Sequence, residues 1–318
     1  MPDYLLSRND IEAAAERLRG FVHRTPVLTC QTLDRLSGKQ LFFKCENFQR
    51  VGAFKFRGAL NAVRQLPPEL ASRGVVTHSS GNHAQALALA AKLAGIPAYI
   101  VMPRTSNPKK RQAVAGYGGQ ITECEPTLAA RETTAAEIQA RTGATLLPPY
   151  DHPHIIAGQS TACLELIAEV PQLDAIIGPV GGGGLISGTA LAARHFSPQT
   201  RVFASEPAGA DDAARSKAAG ERLPQTDPRT IADGLLVSLG HYTWPIVRDL
   251  VEQIFVVDDE QIAAAMRLVW ERAKLLIEPS SAVPVAAVLA DEFRKLENIH
   301  RVGVILTGGN VDLDNLPW

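Results

Sequence analysis

The chain has 318 residues, enough for one large domain or two modest ones sharing a cleft. Hydrophobic residues make up 46% and charged residues 20%, and 32 basic side chains nearly cancel 33 acidic ones. That balance leaves no charge excess for wrapping nucleic acid or an anionic membrane. Gly, Pro or a charge interrupts every apolar run before membrane-spanning length, and the start MPDYLLSRND lacks the basic and apolar regions of a secretory signal. The four cysteines, Cys30, Cys45, Cys124 and Cys163, are widely spaced, with no CxxC pair and no histidine at zinc-ligand spacing. Free thiols in a reducing cytoplasm are the expectation.

In chain order, Ser7-Arg-Asn-Asp10 reads as a capping box ahead of a helix over Ile11–Leu18. Short β-rich runs then alternate with longer helical stretches, the signature of βα units in a parallel sheet. Strands are expected at Leu41–Phe43, Gly74–Thr77, Ala98–Met102, Gln120–Cys124, Ala175–Gly178, Arg201–Ala204, Gln253–Val257 and Arg301–Leu306. Most lack period-2 alternation, as when helices cover both faces of a sheet. Asn82–Leu93 is rich in Ala and Leu and stops at Gly95-Ile-Pro97, and Leu128–Arg141 stops at Gly143. Four βα-like units fall between about residues 51 and 148, and the second half supplies another sheet that takes in the strand near Phe43. The expected fold is therefore α/β, two open parallel-type sheets covered by helices. A small domain, 51–148, is inserted into a large one, 1–50 and 149–318, with the site in the cleft between them.

Four segments carry chemistry. Gly181-Gly-Gly-Gly184 follows the apolar run Asp174–Val180 and precedes a helix-like stretch. Four glycines let the backbone turn tightly and aim N–H groups at one point, and the helix N-terminus adds partial positive charge, an anion cradle suited to phosphate. It fits neither GxGxxG nor GxxxxGK[ST], so a dinucleotide or triphosphate is not expected. Lys55, in Gly52-Ala-Phe-Lys-Phe-Arg-Gly58, stands between Phe54 and Phe56. Desolvation there would lower its pKa, as a Schiff-base amine requires, although read alone it also suits a lysine snorkelling from a helix. Thr77-His-Ser-Ser-Gly-Asn-His-Ala84 sits at a strand-to-helix turn and could hold a carboxylate or phenolic oxygen, or simply cap the helix. Thr307, in Leu306-Thr-Gly-Gly-Asn310, stands at a carboxyl strand end, where sheet enzymes place ligand contacts.

Together these segments resemble the fold-type II pyridoxal-5'-phosphate (PLP) enzymes, in particular the serine/threonine dehydratases and serine racemases. The tryptophan synthase β-like fold goes with that resemblance. The match runs from Arg24-Thr-Pro to Gly309-Asn310 and includes Lys44-Cys-Glu, Ile156-Ala-Gly-Gln159, Ala204-Ser-Glu-Pro207, Ile231-Ala-Asp-Gly234 and Leu275-Leu-Ile-Glu-Pro279. The resemblance implies that Lys55 carries PLP as a Schiff base and moves the Cα proton, with Phe54 beside the cofactor. It implies that Gly181, Gly182, Gly183 and Gly184 bind the phosphate, Asn82 the phenolic oxygen and Thr307 the pyridine nitrogen. Ser79, Ser80, Gly81 and His83 would surround the substrate carboxylate, with Ser80 across Cα from Lys55. A neutral hydroxyl at the pyridine nitrogen does not force its protonation, which suits elimination or racemisation better than transamination.

The resemblance also implies a cation site formed by Glu206, Asp212 and the carbonyl of Ala210, holding Mg²⁺ or a similar ion (Ca²⁺, Mn²⁺) with water. It further implies a homodimer. Departures from the family pattern are Ala84 in place of a glycine, Tyr150-Asp-His-Pro153, and Cys30 and Gln31 where nucleotide-responsive relatives carry small hydroxyls. Nucleotide control is accordingly not expected, nor, with the sequence stopping at Trp318, control through an added regulatory domain. The expected activity is a lyase removing water from L-serine, L-threonine or 3-hydroxyaspartate to give a 2-oxo acid and ammonia. The alternative is an amino-acid racemase, possible on the same site; a β-replacing synthase and a non-catalytic PLP-binding protein rank lower.

Overall fold

The computed structural model describes residues 5–318. Ten strands form two sheets among the described residues. In chain order they are β1 Val27–Leu28, β2 Gln40–Cys45, β3 Val75–His78, β4 Ala98–Pro103, β5 Gln120–Cys124, β6 Thr145–Leu146, β7 Ala175–Pro179, β8 Arg201–Pro207, β9 Ile254–Val257 and β10 Arg301–Leu306. The six-stranded sheet has the order β1-β2-β10-β7-β8-β9 and the four-stranded sheet β5-β4-β3-β6. Every pairing is parallel except the short β1 against β2. Each of the eight expected strands is present within a few residues. The strand near Phe43 does join the sheet built by the second half, pairing along its length with β10. Only β1 and β6 were unforeseen; two residues each are too few for any periodicity to show.

The capping box forms as expected. Ser7 accepts from the Asp10 amide, Asp10 reaches back to the Ser7 amide, and the helix runs Arg8–Leu18. The helices Asn82–Ala94 and Leu128–Thr142 end at Gly95 and Gly143, both left-handed. On one face of the six-stranded sheet, Phe293 packs edge to face on Phe203 and Phe255, which are tilted to each other, with centroids 5.2–5.8 Å apart.

The helix Lys55–Val63 lies at the junction of the two sheets, packed against both Asn82–Ala94 and Pro153–Glu169. Its crossing with Pro153–Glu169 is backbone to backbone. A Cβ on Gly158 would lie 2.5 Å from the Arg57 carbonyl and 2.6 Å from the Gly58 Cα, so only glycine fits. Arg57 anchors the same turn. It is wholly buried, donates to both oxygens of Glu46 at 2.7 and 2.8 Å and to both of Glu165 at 2.8 Å. Lys44, equally buried, donates to Glu165 and to the Thr25 carbonyl, each at 2.7 Å. Such a network is costly to break at one partner, because it strands a buried charge.

Candidate active site

The carboxyl ends of both sheets converge. Thr307 follows β10, and Gly181–Gly184 follows its neighbour β7. From the other sheet, Ser79–Asn82 follows β3. Ladder geometry brings the first two together, and the bonds from Asn82 to Glu278 and Asn310 tie the third to them, at the edge where sheet enzymes bind ligands.

Lys55 is the first residue of its helix and half-buried. Its amine donates to the Pro149 carbonyl at 2.8 Å and lies 5.1 Å from the centroid of the Phe54 ring. Burial lowers its pKa to about 8, with the Glu278 carboxylate pulling the other way. The Phe54 amide donates to the Thr307 carbonyl at 3.0 Å, and Ala53 bridges Gly308, so Lys55 and Thr307 are tied through main chain.

The next two residues after Pro149 continue that link. The Tyr150 ring lies against Gly182 and its Cβ and main chain against Gly184, where any added Cβ would collide with them. Asp151 accepts from the amides of His241, Tyr242 and Thr243 at 2.7, 2.8 and 3.2 Å. In the loop itself Gly183 has φ +86°, a conformation open to glycine at little cost. Gly181–Gly184 is buried, and among the described residues no protein acceptor takes the amides of Gly181, Gly182 or Gly183. Buried N–H groups without acceptors at the start of the helix Gly184–Phe196 suit the oxygens of a phosphate. The glycine-rich loop therefore fits that end of PLP.

Around Asn82 the structure shows a polar chain. Asn82 Nδ2 donates to Glu278 Oε1 at 2.8 Å, and Asn82 Oδ1 accepts from Asn310 Nδ2 at 2.8 Å. Burial pushes the Glu278 carboxyl up to about 8, with Asp233 adding to the shift. The Ser79 hydroxyl accepts from the Gly81 amide at 3.3 Å. The His83 ring is buried and contacts the Leu147 carbonyl through Nε2 at 3.0 Å, leaving Nδ1 without a partner. Burial, with Lys55 nearby, depresses its pKa to about 3, so the imidazole is neutral. A neutral ring whose Nε2 proton is engaged offers a carboxylate nothing; only the main-chain amide of His83 could.

A cleft of about 400 Å³ opens between the sheets, lined by Ser80, Ser106, Lys110, Arg131, Asp233 and Asn310 among others. Of the residues expected at the site, only Ser80 lines it. Arg131 has a buried Nε without a hydrogen-bond partner, while Lys110 is paired with Asp233. Sequence reasoning missed Arg131 and Lys110, and quoted Tyr150 and Glu278 only inside motifs. Arg131 sits in the helix Leu128–Thr142, where a charge ordinarily marks a solvated face.

Glu206, on β8, is wholly buried and accepts from the amides of Ala213 and Ala214 at 3.1 and 2.9 Å. Asp212, also buried, accepts from the Leu239 amide through Oδ2 at 3.1 Å, while its Oδ1 has no partner. Burial pushes Glu206 up to about 9 and Asp212 up to about 6. Ala210 is buried beside them in chain order. No cluster of three or more His, Cys, Asp or Glu side chains with metal-ligand geometry occurs among the described residues. A cation here would rest on two carboxylates and a carbonyl, and the unpartnered Asp212 oxygen suits one. No helix among the described residues is long and apolar enough to cross a membrane.

Comparison with known proteins agrees with this architecture. Residues 18–308 match the family described as pyridoxal-phosphate dependent enzyme. The chain is 51% identical to a beta-hydroxyaspartate dehydratase of Paracoccus denitrificans, over 99% of each chain. It is also 51% identical to a serine racemase of Oryza sativa subsp. indica, over 98% of this chain and 92% of that one. The solved structure of maize serine racemase superposes with a TM-score of 0.96 at 49% identity, covering 98% of this chain and 95% of the other. The chain belongs to the pyridoxal-phosphate dependent enzyme family, with the fold-type II architecture.

Proposed function

We propose that the chain removes water from a β-hydroxy-α-amino acid bearing a second carboxylate, with 3-hydroxyaspartate the best fit, to give a 2-oxo acid and ammonia. One observation carries the substrate class: Arg131 lines the same cleft as Ser80, and its buried Nε has no hydrogen-bond partner. Lys110 lines the same cleft but is neutralised there by Asp233, which leaves Arg131 as the group for the second carboxylate. The Paracoccus relative bears the name of that substrate. We read residues 51–148 as the small domain and 1–50 with 149–318 as the large one, in a cytoplasmic homodimer.

PLP, when bound, supplies an electron sink that makes the Cα–H bond acidic. Gly181–Gly184 would hold its phosphate, Asn82 its phenolic oxygen and Thr307 its ring nitrogen, with Phe54 alongside. Lys55, with a pKa of about 8, is partly free amine near neutrality; it would bind the cofactor covalently and, once the substrate's amine has displaced it, would be free to take the Cα proton. The main-chain amides of Ser80, Asn82 and His83 would face the substrate carboxylate, since those of Ser79 and Gly81 donate to the Val101 carbonyl and the Ser79 hydroxyl. Loss of the Cα proton and the β-hydroxyl leaves an enamine, which tautomerises to an imine, and water releases ammonia from it.

Arg131→Ala tests this reading. The KM for 3-hydroxyaspartate should rise about 10–100-fold, the range expected for losing a charged hydrogen bond, while L-serine elimination changes little. Equal losses on both substrates, or none on either, would remove the dicarboxylate assignment. Racemisation is the second reading, favoured by Ser80 lining the cleft and by the rice and maize relatives.

For the cation, Mg²⁺ on Glu206, Asp212 and the Ala210 carbonyl is the assignment. Both carboxyls have folded pKa values above their ordinary ones of 4.5 and 3.8. Without a cation, the stability they contribute is complete below those ordinary values. It is lost as pH rises through about 6 for Asp212 and about 9 for Glu206. A cation replaces the protons, so its stabilising effect should grow with pH. The gap in Tm between Mg²⁺ and chelator should therefore widen from about pH 5 to about pH 9. A gap that stays constant or closes would leave the pair as buried carboxyls that bind protons and no cation.

A further inference from the structure

Thr243 begins the helix Thr243–Leu250 and is wholly buried. Its hydroxyl accepts from the Gly240 amide at 2.8 Å and donates to the Gly182 carbonyl at 2.8 Å. A hydroxyl has one proton. Because the Gly240 N–H occupies a lone pair, that proton is left for Gly182. The Thr243 carbonyl in turn accepts from the Ser187 hydroxyl at 3.4 Å, on the first turn of the helix that follows the glycine loop. Thr243 thus grips the loop on both sides.

The residues just before Thr243 lead to the acidic pair. The Leu239 amide donates to Asp212 Oδ2, and the Leu239 side chain fills the space where a Gly183 Cβ would stand, 2.8 Å from it. Thr243 Cβ lies equally close to that position at 2.8 Å. Asp151 pins the turn from the other side through the three amides of His241–Thr243. Segment 239–243 is therefore a short, hydrogen-bonded link with one end on Asp212 and the other on Gly182 and Gly183.

We propose that Thr243 is the positioning residue through which a cation at Glu206 and Asp212 sets the geometry of the Gly181–Gly184 loop. The proposal rests on reading that loop as the phosphate site and the pair as the cation site. A cation held by Asp212 Oδ1 fixes the plane of the carboxylate, and with it the Leu239 amide bonded to the other oxygen. Leu239 and Gly240 then hold Thr243 in the rotamer that presents its proton to Gly182, so the loop amides stay aimed at the phosphate. Coupling of this kind is reciprocal at equilibrium: the bound cation raises the affinity for the cofactor by the factor by which the cofactor raises the affinity for the cation.

The test uses the holoenzyme and two readouts. The rate of PLP release after dilution is followed by loss of visible absorbance, in Mg²⁺ and in chelator, and Mg²⁺ binding is measured by calorimetry. For the wild type, Mg²⁺ should slow PLP release about tenfold. Thr243→Val should release PLP at the same rate with and without Mg²⁺ while still binding the ion. Thr243→Ser, which keeps the hydroxyl, should restore the cation effect. A Thr243→Val protein that retains the full cation effect overturns the proposal. Mg²⁺ that binds the wild type without changing PLP release overturns the coupling alone. A wild type that binds no Mg²⁺ removes the cation site, and the coupling with it. Should Thr243→Val fail to fold, loss of the effect in a folded Thr243→Ser would equally contradict the proposal.

Discussion

Lys55→Ala should lower turnover on every substrate by on the order of 10⁴-fold or more, the upper end of what deleting a positioned proton carrier costs. Lys55 combines two tasks, covalent attachment of the cofactor and movement of the Cα proton, so no neighbour compensates for its loss. The fully buried lysine closest in sequence, Lys44, is committed to Glu165 and the Thr25 carbonyl. Lys55→Arg should fail as well, because a guanidinium stays charged and cannot act as an amine nucleophile. Folding should survive the alanine change, since the lysine is half-buried and its amine makes a single hydrogen bond, to Pro149. Purified Lys55→Ala should therefore show wild-type circular dichroism with no turnover. A variant that keeps substantial activity would place the reactive amine elsewhere.

Ser80→Ala should separate the two activities. Elimination needs the Cα proton taken from one face, and Lys55 serves that face. Racemisation needs a proton delivered to the other, and Ser80 is the expected residue that lines the cleft. L-to-D conversion should fall by on the order of 10²–10⁴-fold, while part of the elimination from the L-substrate survives. Elimination from a D-substrate, in which Ser80 must act first, should fall together with racemisation. Chiral chromatography of unreacted amino acid, run beside a 2-oxo acid assay, reads both. Undiminished racemisation would mean that another group or water serves the second face. Collapse of every activity alike would make Ser80 a carboxylate ligand.

What was legible in advance follows from how local each signal is. Strand runs, the capping box at Ser7 and the glycine loop after β7 are written in contiguous residues, and each was located from the sequence. The parallel pairing of β2 with β10 was visible only as an expectation about which half owned the strand near Phe43. β1 and β6, at two residues each, exist because β2 and β3 offer them free edges, a tertiary cause with no local trace. The same limit applies to the site. Arg57 meets Glu46 and Glu165 from three separate elements, and Asp212 meets Leu239 across 27 residues. Arg131 looks like any exposed helical charge until the fold places it in the cleft that Ser80 lines. Residue type and spacing carry the nucleophile and the cradle, whereas the residues that position them come from packing.

The measurement that bears most directly on the account is borohydride reduction of the holoenzyme, followed by proteolysis and mass mapping of the phosphopyridoxyl label. The amine at Lys55 is the one held at the junction of the sheets, with its pKa brought down to about 8 and its helix anchored by Arg57 beside the glycine loop. The label should therefore sit on the peptide containing Lys55, in about one equivalent per chain. A label on any other lysine, or none after reduction of the coloured enzyme, would contradict the assignment of the cofactor to this site.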